Sequence, residues 1–198
     1  MATTPETTTA DLTAFAARPK RADARRNYDK LVAAAREVFG EQETDATLEE
    51  ISRRAGVGIG TLYRHFPARE NLIEAAYVDG VEEICGAVDK HAGEEPWKAL
   101  TGWLLEVVHF AATKRILADE MFAVMDRDAP FFKSCGGAIY DAGEPLLRRA
   151  QEAGVVRDDV DITDVTKMVS GIAGLRTVDT EHAERLVAIA LDGLRPTA

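Results

Sequence analysis

The segment from Thr47 to Phe66 constrains the chain more than any other stretch. Thr47-Leu48-Glu49-Glu50 has the pattern of a capping box, in which the threonine hydroxyl accepts from the amide three residues on and the glutamate side chain reaches back. By ordinary cap values, loss of Thr47 costs about 1 kcal/mol. Leu48, Ile51 and Ala55 recur at helical spacing, and Gly56 offers the positive φ that ends a helix cheaply. Val57 follows as an apolar plug. A second short helix is expected from about Gly58 to His65, with Leu62 and Phe66 facing inward and Pro67 stopping it. Two short helices meeting across a glycine turn leave the second with a sparse outer face: Gly60, Thr61 and Arg64.

Such a face suits the major groove of DNA. A helix enters it only if its leading side comes close to base edges, which glycine permits. A threonine methyl can touch a thymine methyl. Arginine can donate two hydrogen bonds to guanine or neutralise a phosphate. Tyr63 and His65 flank the face and suit phosphate contacts, which position a helix without reading sequence. Lys20, Arg21, Arg25 and Arg26 supply a basic arm for the backbone or an adjacent minor groove. On physical grounds alone, two amphipathic helices and a glycine turn are also ordinary helical packing, and both readings stand.

Charge is distributed in a way that favours the first. The formal net charge is −10, which for the chain as a whole argues against a nucleic-acid partner. Residues 18–70, however, hold 11 Lys/Arg against 9 Asp/Glu, whereas residues 71–198 hold 13 against 23. Within 18–36 the balance is 7 against 2. One end can face phosphates while an acidic body faces away.

The rest of the chain reads as helices. Residues 1–17 are threonine-rich without a helical period and are expected to form a disordered arm, so that their removal leaves folding intact. Helix 1 is expected from about Asp23, as cap, to Gly40, with Tyr28, Leu31, Val32, Ala35, Val38 and Phe39 on one side. Further helices are expected over about 68–91, 96–113, 116–125, 131–153, 163–175 and 181–194. Pro96 opens one, and Trp97, Leu100, Trp103, Leu104, Val107, Val108 and Phe110 make it apolar on most sides, as a central helix is. No segment alternates like a strand. An all-α chain of about nine helices is expected. No apolar run approaches the roughly 18 residues of a membrane span, and no basic segment followed by an apolar core marks a signal peptide. Cys85 and Cys135 lie far apart, without the spacing of a zinc site or disulfide framework. A cytoplasmic location with no membrane partner, no metal and no cofactor is therefore expected.

The run Ala55-Gly56-Val57-Gly58-Ile59-Gly60-Thr61-Leu62-Tyr63-Arg64-His65-Phe66, followed by Pro67-Ala68-Arg69-Glu70-Asn71-Leu72, resembles the helix-turn-helix signature of the TetR family of regulators. The upstream Ala34–Phe39 and Thr47–Ile51 segments are similar to that family's first two helices. The resemblance covers roughly residues 21–75. It implies a three-helix DNA-binding domain over 18–67, then a larger helical domain over 68–198 for ligand binding and dimerisation. It implies that Gly58, Ile59, Gly60, Thr61, Tyr63, Arg64, His65 and Arg69 lie at or near DNA, with Thr47 on a phosphate. The family often has serine where Gly58 stands and a basic or polar residue where Ile59 stands. Residues 146–160, from Leu146 to Val160, are similar to a segment common in actinobacterial members.

The resemblance also implies double-stranded operator DNA, a homodimer and a small-molecule effector as partners, and a repressor released from a palindromic site. Val165, Met168 and Ile172 form one apolar stripe and Leu186, Ala190 and Leu194 another, expected at the dimer interface or, alternatively, packed within the monomer. Trp103, Phe110, Met121, Phe122, Met125 and Phe131 are candidates for a ligand pocket, with plain core as the alternative. Glu106, His109 and Thr113 form a polar stripe expected to face solvent. Two other classes compete with this one: a regulator without a small ligand, and a helical-bundle enzyme. Glu106-Val107-Val108-His109 has the spacing of a di-iron site, but no second such pair exists in the chain. No catalytic residue is expected.

Overall fold

The computed structural model describes residues 12, 14–40, 47–113, 117, 119, 121, 122, 125, 126, 129–175 and 180–196. Eight helices and no strand occur among them: α1 (Ala22–Gly40), α2 (Leu48–Ala55), α3 (Ile59–His65), α4 (Arg69–His91), α5 (Pro96–Thr113), α6 (Pro130–Glu152), α7 (Ile162–Ala173) and α8 (Thr180–Asp192). The all-α class holds. The ninth helix expected over 116–125 falls largely outside the described residues, although Leu117, Asp119, Met121 and Phe122 are each helical. Among the described residues no helix is long and apolar enough to cross a membrane. The chain divides into two compact units, residues 1–80 with 113–135 and residues 81–112 with 136–198.

In the first unit, α1, α2 and α3 pack on one another. Leu31, Val32, Ala35, Val38 and Phe39 of α1 are buried together with Ile51, Val57, Leu62 and Phe66. Each large side chain so removed from water contributes roughly 1.5–3 kcal/mol. Asp23, expected as a cap, is instead the second residue of α1, and its carboxyl is held below the usual range chiefly by the Ala24 N–H. Thr47 caps α2: its Oγ1 accepts from the Glu50 amide at 3.2 Å. The return half of the capping box is displaced. The Glu50 carboxylate is taken by Arg53 and by Arg54 Nε at 2.9 Å, because two guanidiniums one turn along compete for it. Gly56 ends α2 at φ 63°, with its own N–H donating to Arg53 O and the Val57 N–H to Ser52 O at 3.0 Å. That pair of bonds closes the helix end and turns Val57 inward.

The expected arm needs correction at its C-terminal end. Leu12 is fully buried, and Phe15 sets its ring edge against Phe131 with centroids 5.3 Å apart. A short turn joins them, with the amides of Phe15 and Ala16 donating to Leu12 O. Residues 1–11 and 13 lie outside the described residues.

In the second unit, Trp103 of α5 is fully buried and its Nε1–H donates to Ile84 O at 3.1 Å. Its ring lies on the backbone of α6 at Gly143, where a Cβ would stand 2.3 Å from the indole. Arg149 of α6 donates to Ala92 O and Glu94 O, satisfying carbonyls at the end of α4 and the turn after it. α6 continues through Pro145 and ends before Gly154, at φ 68°. Asp161 caps α7 by accepting from the Asp164 amide at 2.8 Å. α7 and α8 pack together.

Three outcomes follow from these contacts. Thr47→Ala is expected to cost about 1 kcal/mol in chemical denaturation. Leu12→Ala is expected to cost about 2–5 kcal/mol, the range for emptying a filled apolar site; an unchanged denaturation midpoint would show Leu12 to be unpacked. Burial, with Glu82 and Asp141 nearby, pushes the Cys85 thiol from 9.0 up to about 11. The fold therefore favours the protonated thiol. Its contribution to stability is complete below pH 9 and is lost as the pH climbs from there toward 11. At about pH 8, alkylation of Cys85 by iodoacetamide should be much slower in the folded protein than in denaturant.

Candidate nucleic-acid interface

The outer side of α3 is bare for a reason that packing does not supply. A Cβ built on Gly58 or Gly60 meets no atom within 4 Å, and neither residue has a left-handed backbone. Glycine inside a helix costs about 0.8–1.0 kcal/mol relative to alanine. Gly60, in the first turn of α3, has no close fit inside this chain that calls for glycine, and its missing side chain lets another molecule approach the backbone. Two of the four exposed large hydrophobics among the described residues, Ile59 at 37% and Tyr63 at 46%, sit on this helix. Thr61 is half-buried, and Arg64 is exposed.

Arg64 is held along its own helix. Its Nε donates to Gly60 O at 3.1 Å and its Nη2 to Thr61 Oγ1 at 3.3 Å. The guanidinium therefore covers the two residues that sequence reasoning placed against bases. The orientation of α3 is set from α1: the Tyr28 ring lies 5.0 Å from Phe66 and 6.2 Å from His65, centroid to centroid. His65 is half-buried as a result. Arg69, at the start of α4, lies 5.1 Å over the Phe39 ring, which fixes its stem while leaving its charge in place. Thr47 is exposed. Its oxygen accepts from Glu50, so its hydroxyl proton remains for a donor role toward an anion. Lys20, Arg21, Arg25 and Arg26 are all exposed around the start of α1.

The other predicted residues are placed less uniformly. Met121, Phe122, Met125 and Phe131 belong to the first compact unit, and Trp103 and Phe110 to the second. Phe131 and Met121 are buried, while Phe122, Met125 and Phe110 are half-buried. Phe131 and Phe122 join Phe132, Tyr77 and Phe15 in one aromatic cluster, with Phe122 and Phe132 4.6 Å apart. Sequence reasoning misses Tyr77 and Phe15: the first sits on α4 with its ring partner Phe131 far off in sequence, and the second lies in a segment without helical period. Trp103 offers only ring surface, its N–H being bonded to Ile84.

Of the expected dimer stripe, Met168, Ile172, Leu186 and Ala190 are half-buried. Val165 and Leu194 differ from these four in being buried. They are 1% and 5% exposed within the single chain, so their packing is already supplied by the chain itself. Ile189, absent from that stripe, is 70% exposed. Glu106 and His109 are partnered at the surface, Glu106 with Lys90 at 3.8 Å and His109 with Glu184 at 2.6 Å. The Thr113 side chain lies outside the described residues. Among the described residues no group of three or more His, Cys, Asp or Glu is placed to hold a metal ion.

Comparison with known proteins gives these features a context. Residues 31–76 match the family model described as bacterial regulatory proteins of the tetR family, and residues 95–196 match the SbtR-like transcriptional regulator C-terminal domain. The TetR transcriptional regulator SCO0520 from Streptomyces coelicolor is 41% identical, with 86% of this chain and 99% of that chain covered and a TM-score of 0.72. A TetR transcription regulatory protein from Mycobacterium vanbaalenii is 33% identical over 90% of this chain and 100% of its own, with a TM-score of 0.69. The HTH-type transcriptional regulator TtgW of Pseudomonas putida is 32% identical over 101 residues, which are 50% of this chain and 75% of that protein. With a capped helix-turn-helix opening an all-helical chain and both parts matched, the chain belongs to the TetR family of DNA-binding transcriptional regulators, which are not enzymes.

Proposed function

We propose that this regulator is a homodimeric repressor that holds a palindromic operator through α3 and leaves it when a small molecule binds the C-terminal helices. The observation that carries the DNA-reading assignment is the pair of glycines at 58 and 60, where a Cβ would meet no other atom of the chain within 4 Å. On this reading Gly58, Gly60 and Thr61 admit the base edges, Ile59 meets a thymine methyl, and Arg64 swings off Gly60 O to reach guanine. Tyr63, His65, Thr47, Arg25 and Arg69 hold phosphates. Two heads would engage half-sites about 34 Å apart.

Exposed Ile189 and the half-buried Met168, Ile172, Leu186 and Ala190 support α7 and α8 as the surface that pairs two copies. Ligand release has support from family and fold. RolR, a regulator of the same fold at 20% identity and a TM-score of 0.58, has been solved in complex with resorcinol. The aromatic cluster around Phe131 supplies ring surface for a compound of that character. For release, the effector must bind the DNA-free conformation more tightly than the DNA-bound one.

Selection of bound duplexes from a random DNA pool tests the reading, with a palindromic consensus as the expected result. Against that duplex, Arg64→Ala should weaken binding by about 1–3 kcal/mol and relax preference at one position per half-site. A loss that is uniform over all sequences would move Arg64 to a phosphate.

A further inference from the structure

We infer that Leu12 and residues 14–18 form a strap that holds the basic turn at Lys20 and Arg21 in place for the DNA backbone, with Asp79 as the positioning residue. Asp79 of α4 gives one carboxylate oxygen to each of two arginines. Oδ1 accepts from Arg18 Nη2 at 2.8 Å and Oδ2 from Arg36 Nη1 at 2.7 Å. All three side chains are partly withdrawn from solvent, at 36%, 29% and 27% exposure for Arg18, Arg36 and Asp79. Charge-assisted bonds in such surroundings are stronger than open surface pairs.

The placement of the two arginines dictates a path for the chain. Arg36 lies fourteen residues into α1, which starts at Ala22. At 1.5 Å per residue it is about 21 Å along the axis from that start. Arg18 stands only four residues before Ala22, yet shares a carboxylate with Arg36. A segment that ran on along the helix axis could not bring Arg18 to this carboxylate, so the chain before α1 bends toward Arg36. Two further anchors lie upstream: Phe15 against Phe131 and fully buried Leu12. Lys20 and Arg21 are then the apex of a closed turn, exposed beside Arg25 and Arg26. The Arg25 amide donates to Arg21 O at 2.8 Å and fixes that apex to the first turn of α1. Arg21 makes only a loose contact with Asp23, 3.6 Å apart with both side chains well exposed.

A basic tail left free would lose conformational entropy on meeting phosphates; one pinned in a turn has already lost it. Asp79 acts on DNA through this geometry and not by contact. It also takes Arg18 and Arg36 out of the pool of cations that can reach DNA, so its removal has two opposite consequences that an experiment can separate.

The inference rests on the DNA-binding reading and is tested with the duplex selected above, by measuring affinity of the full chain across a salt series. The slope of log affinity against log salt counts neutralised phosphates, about 0.9 per contact. Asp79→Asn is expected to lower affinity about three- to tenfold and to flatten the slope by about one to two contacts. Asp79→Glu, which keeps the carboxylate, should restore most of both. The double variant Lys20→Ala/Arg21→Ala, exposed and remote from the core, should give the same flattening in the wild-type background and little more in the Asp79→Asn background. Faster amide exchange at Phe15–Arg18 in Asp79→Asn, with the rest of the protein protected, would confirm loss of the strap without unfolding. Unchanged or tighter binding by Asp79→Asn, or an undiminished effect of Lys20→Ala/Arg21→Ala in its background, would overturn the inference while leaving the wild-type duplex bound. Failure of the wild-type chain to select any duplex would overturn the DNA-binding reading itself, and this inference with it.

Discussion

The left-handed backbone at Gly56 decides what the head of this protein can present. One residue at φ 63° closes α2, and the two hydrogen bonds that accompany it turn Val57 into the core. No neighbouring atom crowds the position, so the constraint is conformational and not steric. An L-residue there carries the roughly 1–2 kcal/mol of the left-handed region. Once the chain has reversed, helical geometry does the rest. Leu62 and Phe66 are buried one turn apart, and Gly60 and Arg64, themselves four apart, fall on the side opposite Leu62. Inward packing that starts at Val57 thus decides which side of α3 faces outward, while the glycine at 60 leaves that side bare.

Charge works on a longer scale. A chain of net −10 approaches a polyanion only if its field is uneven, and residues 18–36 carry a marked excess of arginine and lysine. Not all of that excess faces water. Arg18 and Arg36 are bound by Asp79, and Arg54 by Glu50, whose carboxyl is held below its usual range by the Arg53 and Arg54 hydrogen bonds. Of the cations left exposed, Lys20, Arg21, Arg25 and Arg26 gather around the start of α1, and Arg64 stands on α3. Sequence balance therefore overstates the number of charges at the interface, and pairing concentrates those that remain.

What the sequence discloses follows the range of the interactions. The ends of α2 and α3 are legible because Thr47, Gly56 and Pro67 act on backbone a few residues from themselves. Glu50 is misread within the same segment, since a capping partner three residues back and two arginines ahead are equally near in sequence and only geometry ranks them. Leu12, Phe15 and Arg18 are illegible as a packed strap. Their partners stand as far away as Asp79 and Phe131, and no local period marks them. Val165 and Leu194 show a third limit. An apolar stripe states that a face is buried, and burial within the chain looks the same in sequence as burial by a second copy.

The resting place of Arg64 bears on how strictly this protein can discriminate. Its guanidinium already has acceptors in Gly60 O and Thr61 Oγ1. Meeting guanine exchanges one set of bonds for another, so the net gain is smaller than the contact suggests. Meeting a wrong base does not strand the charge, because the side chain can fold home. Rejection by a stranded charge is the sharpest form of specificity, and here the refuge on α3 blunts it. On the proposed reading, a head built this way would tolerate drift at the base facing Arg64, and fidelity would shift to the elements beside it, the methyl of Thr61 and the backbone of Gly60, which have nowhere to retreat.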